Sequence, residues 1–137
     1  MLDGMPPPEQ VRTTVESYVE LLSAGERDTW LDLFAEDATL TDPVPSEAHV
    51  GRSAIGSFWT GMTGMADRLV MRRHELHVCG NEAALVYTMI LETDEGAGTA
   101  FDGVEIFTVD AEGLIVSARA YWDPSELRRI EAPDDRS

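Results

Sequence analysis

The sequence predicts an α+β fold, with one curved, mostly antiparallel sheet and three N-terminal helices packed on its concave face. Three observations lead there. Apolar residues recur at helical spacing only up to Met65; from Arg68 onward the texture is that of strands; and the breaks between those strands are too short to hold crossover helices, so the strands must run antiparallel. A chain of 137 residues with no internal repeat, low-complexity tract or linker is the length of one domain. That domain is expected to span residues 1–137, with its core at about 9–126 and a polar, frayed tail from Glu131 to Ser137.

Each element follows from its own signals. After Pro6-Pro7-Pro8, the residues Val11, Val15, Tyr18 and Leu22 share one helical stripe, and Gly25 supplies a stop. A second, shorter helical pattern runs over 26–36 through Trp30, Leu31, Leu33 and Phe34, so the two helices should form a hairpin hinged at Gly25. Residues 38–42 alternate with period two and stop at Pro43, which cannot donate to a ladder; this reads as a short strand. Two prolines make 43–51 a loop, and Ile55, Phe58, Trp59 and Met62 give a third helix over 53–65 despite interior glycines. Four longer strands follow at 68–78, 83–92, 99–109 and 114–122, separated by Gly80-Asn81 and by turns at 94–98 and 111–113, as in an antiparallel meander.

Charge and composition exclude several functions. There are 26 acidic against 10 basic residues, a net charge of -16, and every base is arginine. Without lysine there is no Schiff-base or lysine-nucleophile chemistry. So negative a field repels a phosphate backbone or an anionic membrane, and neither nucleic acid nor membrane is expected as a partner. The N-terminus MLDGMPPPEQ is neither basic nor apolar enough for a signal peptide, and no run approaches membrane-spanning length. The single Cys79 cannot form an internal disulfide and is expected simply to pack; a reducing cytoplasm is the compartment these features suggest.

Three residues and one strand face stand out chemically. Glu105 lies inside the apolar run 104–109 and faces the same way as Phe107 and Val109. If that face looks inward, its carboxyl must be protonated or hydrogen-bonded; if the face is wet or lies on a dimer seam, Glu105 is an ordinary acid. Tyr18 sits on the inward stripe of the first helix, where its hydroxyl needs a partner, most commonly a backbone carbonyl. Asp42 closes the short strand and by itself reads first as a simple Asp-Pro turn signal. Val116, Ala118, Ala120 and Trp122 share a face that either lines a pocket with an aromatic wall or fills a solid core. His49, His74 and His77 show no ligand spacing, so no metal is expected, and there is no phosphate loop or nucleophile elbow.

Taken together, Tyr18-Val19-Glu20-Leu21, the segment from Phe34 through Ala35-Glu36-Asp37-Ala38-Thr39-Leu40-Thr41-Asp42 to Pro43, Gly51 with Ile55-Gly56-Ser57-Phe58-Trp59, and Ala120-Tyr121-Trp122 resemble bacterial ketosteroid isomerase, of the nuclear transport factor 2-like and SnoaL-like superfamily. The similarity runs from about Val11 to Trp122. It implies a cone-shaped fold in which the sheet wraps an apolar pocket closed by the helices, usually as a homodimer. It further implies that Asp42 matches the general base, Tyr18 the oxyanion-hole tyrosine and Glu105 the oxyanion-hole aspartic acid, here one methylene longer. Phe34 and Trp59 stand where some members carry supporting tyrosines, so no extended tyrosine network is expected.

On that resemblance the protein is expected to be a cofactor-free steroid delta-isomerase, acting on a hydrophobic steroid. Asp42 would move a proton from beside the ketone to a carbon two positions away, while Tyr18 and a neutral Glu105 donate to the dienolate oxygen. Resemblance and strand phase together give Phe34, Trp59, Phe107 and Trp122 as pocket walls, with Met89 beside them. Two other readings stand: an epoxide hydrolase or cyclase using an Asp42 and Glu105 acid pair, and a non-catalytic small-molecule binder on the same fold.

Overall fold

The computed structural model describes residues 5–93 and 97–131. Helix α1, Pro8–Ala24, begins with proline at its first turn and ends at Gly25, whose φ of 75° lets its N–H cap the carbonyls of Leu21 and Leu22. Its buried stripe is Val11, Thr14, Val15, Tyr18 and Leu22, and it lies over strands β3 (Arg68–Cys79) and β4 (Glu82–Thr93). Helix α2 covers only Arg27–Leu31. The helix expected over 26–36 therefore stops five residues early, because Phe34 to Glu36 enter strand β1, Phe34–Thr41. Long-range pairing overrides local periodicity here: Phe34 aligns with Ile115, and the Ile115 N–H donates to the Leu33 carbonyl at 2.8 Å.

The expected loop over 43–51 contains a two-residue strand β2, His49–Val50, which pairs with Leu40 and Thr39 and leads through Gly51 into α3, Arg52–Thr63. The sheet is completed by β5 (Ala97–Val109), β6 (Ile115–Tyr121) and, after a 3-10 turn at Pro124–Glu126, β7 (Arg128–Ile130). The last of these carries ordered structure past the core limit set at residue 126. The tail expected to fray lies, beyond Glu131, outside the described residues, as does most of the turn between β4 and β5.

Strand order is β2-β1-β6-β5-β4-β3, with β7 continuing along the edge of β5. All pairs are antiparallel except β1 with β6, so the sheet is mixed and curved rather than purely antiparallel. A register shift between Arg73 and Glu75 bends β3. Another opposite Thr108 and Val109 brings Ile115, rather than Val116, onto the concave face ahead of Ala118 and Ala120. Val116 is only half-buried and is not part of that inward row. Cys79, expected to pack, is exposed at the end of β3.

Candidate active site

The register of three strands assembles the site. Thr41 pairs with Arg119 at the end of β1, so Asp42 comes level with Ala120, and the Val44 N–H fixes the following turn by donating to the Ala120 carbonyl at 2.8 Å. On the other side of β6, Glu105 pairs directly with Ala120. Asp42 and Glu105 thus flank one fully buried alanine, two strand spacings or about 10 Å apart at the backbone. The residue between them on β6, Ala120, contributes only a methyl group.

Glu105 is 1% exposed and Tyr18 2%. The Tyr18 hydroxyl, brought down from α1, donates to Glu105 Oε2 at 3.0 Å. Trp30 at 5.3 Å and Phe107 at 4.8 Å between ring centroids hold the phenol in place. Burial, and then the neighbouring Asp42 charge, push the Glu105 carboxyl well above its ordinary range, while the bond from Tyr18 pulls the other way. Burial with the charges of Glu105 and Asp42 also drives the Tyr18 phenol well up, so it keeps its proton. An acid held neutral retains an O–H to donate.

Asp42 has a different setting. Burial raises its carboxyl too, but the Trp122 indole N–H donates to Oδ1 at 2.6 Å, and together with the nearby His49 it opposes that rise. Asp42 opens on a cavity of about 620 Å³, of a size that takes a drug-sized ligand. Phe58 and Met62 of α3, Met89, Phe101 and Trp122 form much of its wall, and among the described residues Asp42 is the one charged residue lining it.

Of the expected residues, Asp42, Met89 and Trp122 lie on the cavity, and Tyr18 and Glu105 are buried and are not among the residues that line it. Phe34, Trp59 and Phe107 are not on its wall. They belong to the aromatic core: Trp30 meets both Phe34 and Trp59 at 4.8 Å, and Tyr18 covers Phe107. Phe107 faces the expected side of the sheet, but at a level closed by the helices. The aromatic walls are instead Phe58, one position from Trp59, and Phe101, stacked on Trp122 at 3.8 Å and 17°. Phe101 shares the strand phase of Glu105, a signal already present in the sequence. Among the described residues no group of His, Cys, Asp and Glu gathers to hold a metal.

The family model for the SnoaL-like domain matches residues 15–118. The chain belongs to the SnoaL-like family. Among proteins similar to this SnoaL-like chain is the steroid Delta-isomerase of Nocardioides simplex, 30% identical over 122 residues, which span 86% of this chain and 94% of the relative. Solved structures similar in fold include the epoxide hydrolase/cyclase-like enzyme SalBIII, of pyran ring formation in polyether salinomycin, with a TM-score of 0.81 at 21% identity over 90% of this chain and 98% of that one. The Mycobacterium tuberculosis protein RV0760c, solved in complex with estradiol-17beta-hemisuccinate, has a TM-score of 0.79 at 24% identity over 87% and 98% of the two chains. No helix among the described residues is long and apolar enough to cross a membrane.

Proposed function

We propose that this SnoaL-like protein is a cofactor-independent steroid delta-isomerase, converting a 3-oxo-delta-5 steroid to its conjugated delta-4 isomer. One observation carries the reading: Asp42, among the described residues the only charged one on the wall of an apolar cavity, shares a sheet row with an acid that favours its neutral form. Similarity to a steroid Delta-isomerase over most of the chain supports the choice of substrate class.

Ionised Asp42 removes the acidic proton beside the ketone, the electron pair moves onto the carbonyl oxygen to give a dienolate, and the same carboxyl returns the proton two carbons further on. The Trp122 indole orients that carboxyl and favours its ionised form against the opposing effect of burial. Tyr18 and Glu105 act in series: Tyr18 donates to Glu105 Oε2, and the remaining O–H of neutral Glu105 donates to the developing oxyanion. The apolar wall excludes water, which strengthens both bonds.

The test is to mix the protein with 5-androstene-3,17-dione and follow the ultraviolet absorbance of the conjugated enone. Acceleration over buffer is expected, and Asp42→Asn should lower turnover about a hundredfold or more while still binding a phenolic steroid. No acceleration by folded protein overturns the isomerase, as would full activity of the Asn variant. The two carboxyls flanking Ala120 would also suit opening of an epoxide, with Glu105 as acid and Asp42 as base. Turnover of an epoxide with none of the steroid would decide for that second reading.

A further inference from the structure

Tyr87 has no role in the proton transfer described above, yet it occupies the row next to the Asp42, Ala120 and Glu105 row. It lies on the concave face of β4, in phase with Leu85 and Met89, and is 2% exposed. Tyr87 pairs with Gly103, and because Val104 pairs with Tyr121, Gly103 comes level with Trp122. The phenol reaches across the neighbouring strand through the gap Gly103 leaves. A Cβ at 103 would stand 2.9 Å from the Tyr87 oxygen and 3.0 Å from its ring carbon Cζ, and 3.0 Å from the Tyr121 carbonyl. Any side chain there would close the gap.

The hydroxyl end therefore lies between the indole that holds Asp42 and the side chain of Glu105. Both carboxyls act on it electrostatically, and burial with those charges pushes the phenol far up, so it stays protonated. Unlike Tyr18, Tyr87 makes no side-chain hydrogen bond among the described residues. Its oxygen is also not one of the sealed, unpartnered polar atoms, which among the described residues are Arg27 Nε and Trp30 Nε1. Its ring stands edge-on to Phe101, which with Met89 lines the cavity, so the phenol lies directly behind that wall. A buried O–H of this kind is costly until something accepts it.

We propose that Tyr87 is a further substrate-contacting residue, whose hydroxyl donates a hydrogen bond to the carbonyl or enolate oxygen of the bound ligand beside the donor supplied by Glu105. This rests on the steroid reading and makes it more specific. With Tyr18 committed to Glu105, the ligand oxygen receives one bond from Glu105 and a second from Tyr87. The ligand must then carry an oxygen able to accept two donors, as a ring ketone or a phenol does and an alkene or hydrocarbon end does not.

The experiment measures binding of estradiol and of 3-deoxyestradiol, which lacks the phenolic oxygen, to the wild type, Tyr87→Phe and, as a second variant acting from the neighbouring strand, Gly103→Ala. The Phe variant keeps the ring against Phe101. It is expected to lose about tenfold in affinity for estradiol and less than twofold for the deoxy steroid, and to lower kcat/KM for the enone-forming reaction with the acid limb of the pH profile unmoved. Gly103→Ala should erase the same preference by displacing the hydroxyl. Equal losses on both steroids would make Tyr87 a packing residue, and no loss would remove it from the site. A shifted acid limb with the estradiol preference intact would make Asp42 its partner instead. Each of these overturns the proposal while leaving the steroid reading standing. A wild type that binds neither steroid overturns both.

Discussion

Two carboxyls a strand apart from the same alanine are driven in one direction by burial and separated by their hydrogen-bond partners. Asp42 receives the Trp122 indole N–H at 2.6 Å, a donor that stabilises the charged form; Glu105 feels burial and the Asp42 charge more than its bond from Tyr18. On the proposed mechanism a base and an acid would thus arise from similar side chains, with the indole favouring the charged form of Asp42. Trp122→Phe retains an aromatic face for Phe101 and removes the donor. Since that bond lowers the Asp42 pKa, its loss must raise it, so more of the base is protonated at any given acidic pH. The acid limb of kcat/KM is expected to move to higher pH, with activity recovering on the alkaline side. A pH profile of the variant beside the wild type checks this, and a limb that stays put or moves to lower pH shows that the indole does not set the base.

At the scale of elements, α3 divides the aromatic residues between two tasks. Trp59 packs against Trp30 in the core, and Phe58, one residue earlier, lines the cavity with Met62. Trp59→Ala should therefore lose about 3–5 kcal/mol of stability, read from denaturant unfolding. Phe58→Ala should cost well under half of that and instead raise KM for the steroid. Equal stability losses would contradict the division. Much of this arrangement was legible in the sequence: the α1 stripe, α3, the four long strands, and Glu105 as an acid out of place in an apolar run, with Asp42 and Tyr18 joined to it by the family resemblance. What was not legible depended on pairing at a distance. Phe34 carries a helical period yet becomes a strand because β6 offers a parallel edge to it, and the register shift opposite Val109 exchanges Val116 for Ile115. Whether a concave-face residue is wall or core was equally hidden, since Phe101 and Phe107 share one phase and differ only in which level the helices close.

For the whole molecule, a charge of -16 opposes self-association unless one face is spared, and the convex side of the sheet is such a face. Its middle is apolar: Val86, Val104 and Tyr121 pair in one row across β4, β5 and β6, beside Ala84 and Ile106, with Val104 36% and Tyr121 43% exposed. Two acids border it: Glu75, opposite Val86 on β3, bonds His77 Nε2 at 2.8 Å, and Asp102 is neutralised locally. It accepts from the Thr88 hydroxyl at 2.6 Å and from Arg128 at 2.9 Å, and those bonds hold its carboxyl below the usual range. Arg119 lies across Tyr121 at 5.9 Å from the ring and adds positive charge. A two-fold axis through Val104 would set this patch against its own copy, burying apolar surface where like charge is least, so the homodimer that the family resemblance implies is expected to form here. Val104→Asp would bring two carboxylates together at that axis. Sedimentation velocity should find the wild type dimeric, more tightly so as added salt screens the remaining repulsion, and the Asp variant monomeric with its fold intact by circular dichroism. A wild type that is monomeric at tens of micromolar, or a variant that still dimerises, would mean that this face has no partner in a second copy of the chain.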